Sequence, residues 1–118
     1  MSMVTAEKRA LELEQTVADL EAAAAAAGEA ADEQALTVER IRQEINHRFG
    51  SQWCSGASYD GSSRLDDSAR LRAAEDLLTV LRGGEGRARA QLREAQARLA
   101  EISSVVAAHR LKIVRPLA

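Results

Sequence analysis

Two rows of small and apolar residues, stepping alternately by three and four, govern what this chain can fold into. The first is Met3, Ala6, Ala10, Leu13, Val17, Leu20, Ala24, Ala27, Ala31, Gln34, Val38, Ile41, Ile45 and Arg48. The second is Leu71, Ala74, Leu78, Leu81, Glu85, Ala88, Leu92, Ala95, Leu99, Ile102, Val106, His109 and Ile113. Neither row loses phase. A spacing of 3.5 held for this long runs one thin stripe along a helix and winds it around a partner, whereas a helix in a compact globule has a wider stripe at period 3.6. The chain is 46% hydrophobic but only 3% aromatic, so it has little bulk with which to fill a wide core. Its single proline stands at position 116, which leaves the interior free of the strongest helix breaker. An all-α protein of two long helices is expected.

Between the rows lies FGSQWCSGASYDGSSRLDD, residues 49–67, which holds Phe49, Trp53 and Tyr59, the lone Cys54, three glycines and five serines. Gly and Ser interrupt helical patterns, and Asp66 or Asp67 can cap a following helix, with Ser63 and Asp66 spaced as in a capping box. The expected domain is therefore one helical hairpin: helix 1 over about 3–48, a connecting loop over 49–66 and helix 2 over about 67–114.

Charge selects how the helices pair. Residues 1–39 carry nine acids against Lys8 and Arg9, and residues 82–115 carry eight bases against three acids. Folding the chain back near Ala57 lays the acidic segment on the basic one. A parallel dimer would lay it on its own copy. The antiparallel register brings Glu7 to Arg110, Arg42 to Glu75 and Glu44 to Arg70, all of opposite sign. It also sets Ala22 to Gly28 against Gly83, Gly84 and Gly86, where small residues bury little area. A soft central section with a bend at 83–86 is expected, the bend keeping the Glu85 carboxylate wet.

The candidate chemistry is sparse. His47 and His109 fall at opposite ends of the hairpin, too far apart to share a metal or a proton with Cys54. No catalytic, metal or cofactor site is expected, and the protein is read as a non-enzyme. One cysteine forms no internal disulfide, Met1 to Glu7 lack the apolar run of a leader, and the alanine tract is too short for a membrane span, so a cytoplasmic location is expected. A net charge of −2 argues against nucleic acid as a partner. Two placements are open to Trp53 and Tyr59, folding back on the seam or anchoring a protein partner. Arg87, Arg89 and Arg93 join them as candidate partner-binding residues on the solvated face of helix 2. Leu36, Leu77, Val80, Val105 and Leu111 lie off the seam and supply apolar positions that a four-helix homodimer would use.

Segment 69–102, ARLRAAEDLLTVLRGGEGRARAQLREAQARLAEI, with its Leu81-Arg82 step and the basic residues after it, resembles the return helix of the YscO-type stalk proteins of type III secretion, relatives of flagellar FliJ. Glu39 to Glu44 is similar to the charged end of their outgoing helix. The resemblance implies a cytoplasmic protein that meets the secretion ATPase and the export gate and escorts chaperones. It carries over no individual functional residue. Two alternatives stand beside it, a small secreted hairpin of WXG type and a generic coiled-coil adaptor or chaperone.

Overall fold

The protein is an all-α helical hairpin of two antiparallel helices, α1 (Met3–Ser55) and α2 (Gly61–Val114). The computed structural model describes residues 2–55 and 61–114, and side chains within 2–49 and 64–112. Helix α1 begins where Ser2 caps it: the Thr5 amide donates to Ser2 Oγ at 3.2 Å, and the Ala6 amide donates to the Ser2 carbonyl at 2.9 Å. One otherwise orphaned first-turn donor is thereby satisfied by a side chain.

The chain divides into two compact units, Met1–Ala25 with Gly86–Ala118, and Ala26–Glu85. The boundaries fall within the alanine tract of α1, between Ala25 and Ala26, and within the glycine cluster of α2, between Glu85 and Gly86. Within Ala26–Glu85 a cluster of Val38, Ile41 and Ala74, with Ile45, Leu71 and Leu78 packed against it, forms the core. Within the other unit Ala6, Leu13, Val17, Ala24, Ala95 and Val106 are buried. In α1 the seam residues from Met3 to Ile45 are all buried or half-buried, and in α2 so are those from Leu71 to His109. Among the described residues no large side chain is completely buried. The core is thus a stripe one layer thick, as a 3.5-residue repeat requires.

The expected register holds. Arg42 meets Glu75 at 3.3 Å and Arg70 meets Glu44 at 2.8 Å in one unit, and Arg110 meets Glu7 at 3.3 Å in the other. All six side chains are at least 40% exposed, so each pair is worth only about 0.2–1 kcal/mol. Their role is to choose between alignments of the same seam.

Three expectations are corrected. Helix α1 runs on to Ser55 and α2 starts at Gly61, so most of the expected loop 49–66 is helical. The heptad register simply continues: Arg48 and Asp67 form one more seam layer, joined at 2.7 Å, which holds the helices together past the last aliphatic pair. Asp67 is consequently no cap but a buried residue within α2. Gly83 to Gly86 do not interrupt α2, and Glu85 stays buried because Arg82, one turn earlier, meets its carboxylate at 3.0 Å.

Gly86 now lacks a structural reason to be glycine. A Cβ built there meets nothing within 4 Å, and its backbone is helical. Gly86→Ala is expected to raise stability by about 1 kcal/mol, because alanine removes backbone freedom from the unfolded chain at no steric cost. Urea denaturation followed by circular dichroism at fixed protein concentration checks this. A loss of stability would mean that the position needs a conformation only glycine adopts.

Candidate interaction surface

Polar residues punctuate the seam of the Ala26–Glu85 unit. Gln34 occupies a seam position, and its Nε2 donates to the Ala74 carbonyl across the pair at 3.0 Å. Arg82 reaches Asp32 on α1 and Glu85 on its own helix, each at 3.0 Å. Hydrogen bonding to Glu85 first, and then to Asp32, holds the Arg82 guanidinium above its ordinary value. A cation whose folded-state value is raised contributes at all lower pH, so this contribution disappears only in strongly alkaline solution. These contacts fix alignment. They offer no group in a concave, reactive setting.

The outer surface carries more information. In the Met1–Ala25 and Gly86–Ala118 unit, α1 and α2 border a groove of about 720 Å³ whose lining includes Ala10, Leu11, Val106, Ala107 and Leu111. Leu11 is 66% exposed and Leu111 69% exposed there. Glu7, Glu14 and Arg110 stand on its rims. A smaller groove in the same unit is lined by Leu13, Thr16, Leu20, Gln91, Glu94, Ala95 and Arg98, and the Arg98–Glu94 ion pair at 2.6 Å lies along it.

The residues nominated from the sequence do not converge. Arg87, Arg89 and Arg93 are all exposed on α2. Arg89 and Arg93, four residues apart, share a face, whereas Arg87, two residues from Arg89, points elsewhere around the helix. Trp53 is in the last turn of α1, but its side chain lies outside the described residues, as does Tyr59 altogether. The choice between a folded-back and a partner-binding aromatic tip falls with them. Val4 and Leu11 were missed by the sequence reading. The available signal was their spacing of seven, one step past the seam residues Met3 and Ala10, which marks a second row beside the first.

No helix among the described residues is long and apolar enough to cross a membrane. The fold and this surface define the class, an all-α two-helix hairpin with a thin seam and an apolar groove on its outside. No protein family, curated protein or solved structure matches the chain.

Proposed function

We propose that the protein is a non-catalytic interaction element that works through the outer faces of its hairpin. The observation that carries this is where the apolar bulk lies. Val4, Leu11, Leu36, Leu65, Val80 and Leu111 are 63–76% exposed, while alanines occupy many of the seam layers. Scattered exposed aliphatics are ordinary on a protein surface, but a pair on one groove between two helices is the geometry that receives another helix.

The most specific form of this reading is a cytoplasmic stalk that bridges a type III secretion ATPase and its export gate or chaperones. Its support is the resemblance of segment 69–102 to the return helix of such stalks. Capture of a purified export ATPase, and of the cytoplasmic domain of an export gate, by the immobilised full chain tests it. Binding is expected, and it should weaken in an Arg89→Ala, Arg93→Ala double variant, whose exposed side chains contribute little to the seam, and in a Trp53→Ala, Tyr59→Ala variant. Failure to bind either protein would overturn the stalk assignment. Binding unchanged in both variants would remove these five nominated residues, Arg87 included if its alanine variant also binds normally, from the partner surface.

A further inference from the structure

The groove of the Met1–Ala25 and Gly86–Ala118 unit has rims of opposite charge. Along α1, Glu7, Glu14 and Glu21 recur every seven residues beside the seam. Arg89, Gln96, Ser103 and Arg110 hold the corresponding positions on α2. Counted over the whole segments, residues 1–25 have five acids and two bases, and residues 86–114 have six bases and two acids. Glu7 is answered within the chain by Arg110. Glu14 and Glu21 have no ion-pair partner among the described residues. Beside the acidic rim runs an exposed row seven residues apart, Val4, Leu11, Ala18 and Ala25, and beside the basic rim the small residues Ala100 and Ala107 are likewise exposed.

We infer that this groove takes a second copy of the chain, related by a two-fold axis along the helices, so that α1 of each copy lies on α2 of the other. The inference rests on reading the hairpin as a protein-binding element and names the partner of one of its faces. Charge selects both the occupant and the axis. With the axis along the helices, each acidic rim meets a basic rim and the contact occurs twice, so the face is complementary to itself. An axis across the helices would lay the acidic α1 on its own copy. Level matches level as well. Because Glu7 pairs with Arg110, residue 11 of one copy comes over residues 103–107 of the other, where Ser103 and Ala107 leave room for a leucine knob. Val4 then comes level with Leu111. The result is a four-helix arrangement in which the outer row of each α1 becomes a second seam.

Sedimentation equilibrium of the pure 118-residue chain is expected to give twice the 12.7 kDa of one copy, with a dissociation constant that rises with salt. Leu11→Glu should raise that constant about tenfold or more, while helical content by circular dichroism is unchanged because residue 11 lies outside the hairpin's own seam. Two single-cysteine chains, Leu11→Cys and Ala107→Cys, each carrying Cys54→Ser, are then mixed and oxidised. The expected cross-link joins one to the other. A monomer at every concentration overturns the proposal, as does a dimer indifferent to Leu11→Glu. Predominant linkage of Leu11→Cys to itself overturns the orientation. A chain that is monomeric alone yet captures the export ATPase through Leu11 overturns self-pairing and leaves the function standing. A dimer that captures no ATPase sustains self-pairing and removes the stalk.

Discussion

Ile41→Ala lowers the stability of the hairpin by about 2–4 kcal/mol, the largest loss expected from any single truncation in the Ala26–Glu85 unit. Ile41 is 4% exposed and sits with Val38 and Ala74 at the centre of that unit's apolar cluster. Removing its outer carbons takes away buried area and leaves a gap that the neighbours close only in part, since both backbones are held by their own helical hydrogen bonds. A seam one layer thick has no second layer to relax inward. Leu36→Ala, five residues earlier on the same helix, is the matched control. Leu36 is 66% exposed, so its truncation should stay within about 0.5 kcal/mol. Urea denaturation of both variants at one protein concentration makes the comparison, concentration being fixed because self-association would add to the apparent stability. Equal effects at the two positions would mean that the seam is not where the apolar energy resides.

Arg48→Ala is expected to cost about 1–3 kcal/mol, although Arg48 is 44% exposed at its side chain. The cost arises at its partner. Asp67 has only 8% of its side chain exposed, and it accepts a hydrogen bond from the Arg48 guanidinium at 2.7 Å. Taking the cation away removes the charge-assisted hydrogen bond that this buried carboxylate accepts across the seam. Exposure of the arginine keeps the figure below the range for a wholly buried pair. Asp67→Leu should have the opposite character, neutral or stabilising, because an aliphatic side chain at that seam position needs no ion and continues the row that begins at Leu71. Thermal denaturation of the two single variants and the double variant gives the coupling between the residues. If Arg48→Ala proved neutral while Asp67→Leu destabilised the protein, Asp67 would be held by other contacts and the ion pair would be incidental.

The two unbroken rows of seam residues are the reason the architecture was legible in the chain. Each side chain from Met3 to Ile45 and from Leu71 to His109 that the period selected is in fact withdrawn from solvent to some degree. The charge segregation was equally readable, since Glu7, Arg42 and Glu44 could find their opposite charges in only one alignment of two such rows. The helix boundaries near the turn were misread for a physical reason. Gly and Ser at 50–55 and 61–63 have low helical propensity, but propensity costs only about 1 kcal/mol per glycine, and a pairing that extends to Arg48 and Asp67 can override it. Glu85 was misread similarly, because a period can place a carboxylate on the seam without saying that Arg82 will turn toward it.

The candidate surface was less accessible to sequence than the fold. Leu111 could be recognised as lying off the seam, but that it shares a groove with Leu11, from the far end of the chain, follows only once the two helices are laid together. Arg87, Arg89 and Arg93 read as one basic run, yet rotation of about 100° per residue sends Arg87 away from the face that the other two share. By itself the sequence determined the fold class, the antiparallel sense and the register, because those depend on period and charge sign, which are properties of residue order. Only the tertiary structure decided which polar seam residues find partners, where the helices end and which outer side chains border a common groove, because each of those depends on distances between atoms remote in the chain.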